Sequence, residues 1–148
     1  MMRKLRSFTR NAQGSVIIET AIVTPVLLLM AIGTFEGVSI VSRQFELQYA
    51  VDEAAQVALS APPHSAAQRE TLKNVITAST GLASTQVKVE PKVRCGTETT
   101  YSDDESGCTG NYYRFVQITL TDTYNPQWTK IAFGSAVNYN VVRMVMIG

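Results

Sequence analysis

Hydrophobic and polar residues are ordered in three different ways along this chain. From Val16 to Phe35 a run of 20 residues is almost wholly apolar, and its only charge is Glu19. At about 1.5 Å per helical residue such a run spans roughly 30 Å, the thickness of a bilayer core, so it predicts a membrane helix. From Glu36 to Ser60 no proline intervenes, and Ile40, Leu47, Val51, Ala54 and Ala58 recur at spacings of 7, 4, 3 and 4. That is a heptad-like seam. Arg43, Gln48, Asp52 and Glu53 fill other faces, so the helix is expected to continue out of the membrane until Pro62-Pro63 ends it. The seam fits packing on the protein's own domain; contact with neighbouring subunits is the other reading.

Ser65-Ala-Ala-Gln68 has the spacing of a capping box, and Leu72, Val75 and Ile76 follow at helical intervals before Gly81, which predicts a second, short helix. The period then changes to two. Val87 and Val89 alternate with Gln86, Lys88 and Glu90; Val116, Ile118 and Leu120 alternate with Gln117, Thr119 and Thr121; Val137, Tyr139, Val141, Val145 and Ile147 continue the alternation. The segment "NPQWTKIAFGS" reads as a turn and short helix, with Trp128 and Phe133 as expected core anchors. The predicted class is α+β: a long N-terminal transmembrane-to-amphipathic helix, one short helix and a small antiparallel sheet of about three strands.

Charge adds a direction to this layout. Arg3, Lys4, Arg6 and Arg10 all precede Gly14 with no acid among them, and the rest of the chain carries a net charge of −3. A basic block ahead of an apolar run holds the N-terminus in the cytoplasm and sends the downstream chain across the membrane. A nucleic-acid binder would instead carry its cations on the folded part, so no nucleic-acid partner is expected. The 148 residues allow one modest domain and one anchor. His64 is the only histidine, glycines are scattered singly, and neither a phosphate-binding loop nor a dinucleotide fingerprint is present. The sequence therefore argues against an enzyme and calls for no cofactor.

Three readings compete for the N-terminus. A cleavable secretory signal would use Ala31-Ile32-Gly33 as a weak cleavage site. An uncleaved anchor carrying a small extracytoplasmic ligand- or partner-binding domain accounts for the charges and the length, but not for Glu19. If a peptidase instead cuts after Gly14, Ser15 becomes the new terminus and Glu19 the fifth residue, one helical turn from a fresh ammonium group. Each charge is costly in lipid alone, and subunits stacked with an axial offset can pair them, which makes Glu19 a register device. The bland alternative is that Glu19 snorkels to the headgroups. Pro25 removes a backbone donor inside the helix and is expected to kink it or melt it locally.

The basic leader, Gly14, Glu19 and "TAIVTPVLLL" together resemble type IV prepilins, and in particular the TadE/TadF-like minor pilins or pseudopilins of the tight-adherence (Tad, or Flp) pilus. Thr20 stands where many pilins of this group carry Tyr or Phe. The resemblance implies a prepilin peptidase, the major Flp pilin, other minor pilins and an inner-membrane assembly platform as partners. It divides the chain into a basic leader at 1–14, a transmembrane helix at 15–36 and an extracytoplasmic α+β domain at 37–148. It also places the chain in the bacterial inner membrane as a single-pass protein with a cytoplasmic N-terminus, and the extracellular pilus is a further destination.

Cys95 and Cys108 both fall in the part expected to be exported, where a disulfide forms and persists, closing a loop of 12 intervening residues. The loop holds Asp103, Asp104 and Glu105, a hard-oxygen cluster with calcium as a candidate ligand. Adjacent residues in an extended loop point in different directions and no EF-hand spacing is present, so a solvated acidic loop is the preferred reading and no metal is expected.

Overall fold

The computed structural model of the protein describes residues 12–131 and 134–148, with side chains from Ile17 onward except Ile131. The basic leader before Ala12 and Phe133 lie outside the described residues. Contacts divide the chain into two units, the first ending at Ser39 and the second comprising Ile40–Gly148. The expected α+β class is what the chain adopts.

Helix α1, Ala12–Ser60, is one α-helix of 49 residues that stays helical on both sides of Pro25. Local melting, one of the two outcomes expected of that proline, does not occur. In the first unit every side chain from Ile17 to Phe35 is exposed, whichever way it points. Among the described residues this is the one helix long and apolar enough to cross a membrane. Two of its hydroxyls bond within the helix: Thr34 Oγ1 donates to the Met30 carbonyl at 2.9 Å and Ser39 Oγ to that of Phe35 at 3.0 Å. This is how a polar side chain tolerates a medium without water. Glu36, the first charge past the run, is buried.

In the second unit the same helix becomes two-sided. Leu47, Val51, Ala54 and Ala58 are buried and Ile40 is partly so, which makes the heptad-like seam the contact of α1 with its own domain. Helix α2, Ala66–Thr80, begins with the expected capping box: the Ser65 hydroxyl accepts from the Gln68 amide and the Gln68 side chain accepts from the Ser65 amide. It ends at Gly81, whose φ of 68° is left-handed and whose N–H donates to the Thr77 carbonyl. Leu72 and Ile76 face the core.

The sheet is antiparallel in the order β1-β2-β3, with β1 at Val87–Cys95, β2 at Tyr112–Tyr124 and β3 at Val137–Met146. Register places Val89 opposite Ile118 and Ile118 opposite Arg143, with Val87 and Val141 flanking Leu120. Val87, Val116, Ile118, Leu120, Tyr139 and Val145 line the face that closes the core with Leu47 and its neighbours. A short 3₁₀ helix, Gln127–Ile131, links β2 to β3 as expected. Trp128 is only half-buried, and among the described residues of this link Pro126 is the fully buried one. Trp128 therefore does not serve as the deep anchor its residue type suggested.

Candidate functional site

The sequence-derived site residues fall in two places. Gly14 and Ser15 lie in α1, and Glu19 follows on the same unbroken helix with an exposed side chain. The continuous helix sets Ser15 and Glu19 at i and i+4, on one face and one turn apart. A few residues further, Thr20, Ala21 and Thr24 set small side chains beside Ile17, Pro25 and Leu28 on the exposed helix surface. Small side chains there let a second helix approach closely.

Cys95 and Cys108 are disulfide-bonded, with Cα atoms 5.2 Å apart. The enclosed loop turns back along β1: Val93 and Ser102 exchange two backbone hydrogen bonds of 2.9 and 2.8 Å. Tyr101 meets Phe115 edge-on at 5.1 Å. The three acids part ways. Asp103 pairs with Lys92. Asp104 accepts from the Ser106 amide at 2.9 Å and hydroxyl at 2.6 Å, which holds its carboxyl below the usual range. Glu105 pairs with Arg114 Nε at 2.8 Å, and that guanidinium, then Tyr112, lowers its pKa. Among the described residues no group of three metal-ligating side chains forms. On the neighbouring strands Arg94 lies over the rings of Tyr113 and Phe115 at 5.4 and 5.5 Å.

One polar cluster escaped the sequence pattern. Arg43 Nε on α1 donates to Asp122 Oδ2 on β2 at 2.7 Å, and Asp122 Oδ1 accepts from the Thr123 amide at 2.8 Å and from Gln86 Nε2 at 3.2 Å. Burial pushes the Asp122 carboxyl up, but the Arg43 guanidinium and these amides outweigh it and hold the carboxyl below its ordinary value. Beside it the Tyr139 hydroxyl donates to the Ile40 carbonyl at 3.0 Å, and burial raises the Tyr139 pKa. Arg43 and Asp122 are 79 residues apart, and nothing local to either marks the pair.

A cavity of ≈ 230 Å³ lies near the start of α2, with His64, Arg69, Lys92, Glu105 and Arg114 in its wall. The wall carries no serine, threonine or cysteine, so no hydroxyl or thiol of that kind lines it beside the histidine.

Comparison with protein families matches residues 14–56 to the family described as TadE-like protein. The matched segment opens on Gly14 and takes in Glu19, Pro25 and the helix as far as Gln56. Comparison with curated proteins and with solved structures returns no match.

Proposed function

We propose, on the premise that this chain is a TadE-like protein associated with the Tad pilus, that it is a minor pilin or pseudopilin taking part in assembly or initiation of that pilus. TadE-like pilus proteins are structural rather than enzymatic, and this chain is read the same way. The observation that carries the reading is a helix, exposed and apolar all round from Ile17 to Phe35, with one carboxylate five residues past Gly14 inside the matched segment. A helix with no buried face takes its stability from its surroundings, first lipid and then other helices.

In this mechanism a prepilin peptidase on the cytoplasmic side hydrolyses the Gly14–Ser15 bond, releasing the basic leader at 1–14 and creating an ammonium group on Ser15. The transmembrane helix at 15–36 then holds the α+β domain at 37–148 on the far side of the inner membrane. When helices stack with an axial offset, Glu19 of one subunit meets the terminal amine of the next. The attraction grows as water is excluded, so it selects one register out of many otherwise equivalent apolar contacts. Pro25 supplies a local kink that fits the helix to its neighbours. The partners are the peptidase, the major Flp pilin, other minor pilins and the inner-membrane assembly platform.

The mature N-terminus tests the first step. Intact mass and N-terminal sequencing of the protein from its native membranes should give a chain beginning at Ser15; a chain beginning at Met1 or Met2 overturns processing. The variant Glu19→Leu tests the second. It should insert into the membrane at least as well as the wild type yet fail to support pili, and normal piliation in cells carrying only this variant removes the register role.

A further inference from the structure

The inner face of the sheet changes character at one end. Leu120, Ile118 and Val116 of β2 are apolar and fully buried, but the next inward position is Arg114, whose side chain is 46% exposed. Register sets Arg114 beside Val93 and Val116 beside Pro91, so all four lie on that face. β2 is the central strand, so an inward cation there is no guard against edge pairing. It stands instead in the wall of the ≈ 230 Å³ cavity near the start of α2. Pro63, Val93 and Val116, all buried, and the partly buried Ile147 form the apolar part of that wall.

The polar part is cationic. His64, Arg69, Lys92 and Arg114 share the wall with one acid, Glu105, in a chain whose portion after Gly14 is net negative. Lys92 is paired with Asp103. Arg114 uses Nε for Glu105 and Nη2 for the Tyr112 hydroxyl at 3.0 Å, which leaves its Nη1 without a hydrogen bond to the described residues. Arg69 is the cation that no carboxylate among the described residues neutralises. Its Nη1 donates to the Pro63 and His64 carbonyls at 3.4 and 2.9 Å. Those bonds hold the guanidinium at the wall while its Nε and Nη2 donors stay available.

We propose that this cavity binds a carboxylate carried on a short apolar body. Arg69 and Arg114 supply planar donors that match carboxylate oxygens, and the wall of Pro63, Val93, Val116 and Ile147 takes the hydrocarbon. Each part of the wall narrows the choice. The excess of cations calls for an anion. Glu105 makes a second negative charge costly, so a monoanion fits better than a phosphate dianion. A bare inorganic ion would leave the apolar wall without a partner. At ≈ 230 Å³ the cavity lies below the range of about 300–1,000 Å³ that holds drug-sized ligands, which limits the occupant to the size of a single amino-acid residue. Two sources carry that chemistry, a free organic acid and the C-terminal residue of another polypeptide. The site rests on the head alone and stands whether or not the chain is processed after Gly14.

Titration of the isotope-labelled, full-length protein in a non-ionic detergent tests it, with amide NMR shifts as the readout. Isocaproate stands for the free acid and N-acetyl-leucine for a chain end, and the one that saturates at the lower concentration identifies the source. Shifts should gather at Arg69, Val93 and Arg114 and follow one saturable curve. Isocaproamide, which keeps the shape and loses the charge, should bind at least about tenfold more weakly than isocaproate. Acetate, which keeps the charge and loses the apolar body, should be several-fold weaker. Arg69→Gln should weaken isocaproate binding at least about tenfold, whereas Lys88→Gln, which removes a β1 cation outside the wall, should leave it within about twofold. The comparison of ligands on the unaltered protein decides the matter even if Arg69→Gln disturbs the fold. Equal affinity for isocaproate and isocaproamide would mean partition of the apolar body alone and would overturn the proposal. So would equal weakening by Arg69→Gln and Lys88→Gln, inorganic phosphate binding more tightly than either acid, or shifts that never saturate.

Discussion

The two stretches of α1 obey different rules although they belong to one helix. From Ile17 to Phe35 apolar side chains point in every direction and all are exposed; from Leu47 to Ala58 one recurring set, Leu47, Val51, Ala54, Ala55 and Ala58, forms a buried seam while Tyr49 and Val57 stay exposed. Apolar content alone, without a period, signals that the surrounding medium is the partner. Apolar content at a period of three to four residues signals a partner on one side, and here that partner is the protein's own sheet. The difference lies in the distribution of hydrophobic residues more than in their number.

Core truncation should separate the stretches most sharply. Leu47→Ala removes a fully buried side chain and is expected to lower the stability of the head by about 2–5 kcal/mol, measured as denaturant unfolding of the full-length protein followed through Trp128. Next in size, the Cys95→Ser, Cys108→Ser double variant should lose about 2–4 kcal/mol by the same assay, because the closed loop no longer limits the unfolded chain. Arg43→Ala leaves Asp122 partly buried without its cation, and a loss of about 1–2 kcal/mol is expected after allowance for the quarter-exposed Arg43 side chain. Acid titration sharpens that result. The folded Asp122 carboxyl is held below its ordinary value, so its contribution is complete above about pH 4 and disappears as pH falls through the folded value. Asp122→Asn should lack this part of the acid-induced loss, seen as a flatter dependence of unfolding midpoint on pH below about 4. The smallest effect belongs to Leu28→Ala in the exposed stretch, which should leave the unfolding of the head unchanged within about 0.5 kcal/mol.

Much of this architecture was legible because it is encoded locally. Ser65 and Gln68 sit three residues apart and cap α2, Gly81 closes it, and the alternating valines and isoleucines mark all three strands. The helix seam was legible too, since its spacing is a property of the helix alone. The features hidden in the sequence depend on distant residues meeting. Arg43 reads as one more polar residue on a helix, and only the arrival of Asp122 turns it into a brace between α1 and β2. The acidic loop is solvated, as its composition indicated, with all three acids exposed; what the sequence did not show is that Asp103 reaches Lys92 and Glu105 reaches Arg114 on the strands. Trp128 misled because aromatic type is a weak guide to depth when the short linking helix that carries it lies at the surface. Within the site, the spacing from Gly14 to Glu19 and the position of Pro25 were visible directly, whereas the unbroken course of α1 through that proline was not.

The hydroxyl of Tyr139 on β3 holds the carbonyl of Ile40 on α1 across 99 residues of chain. In kinetic terms this makes the head a late-closing structure. The α1 seam is synthesised early, yet the face that covers it is completed only when the third strand joins β2, and such distant contacts are slow to form because most of the chain must be ordered first. During that interval Leu47, Val51 and Ala58 have only the incomplete sheet of β1 and β2 to lie on. The nascent chain is therefore at its most vulnerable to chaperone capture or misassembly after its helix has formed and before β3 has arrived.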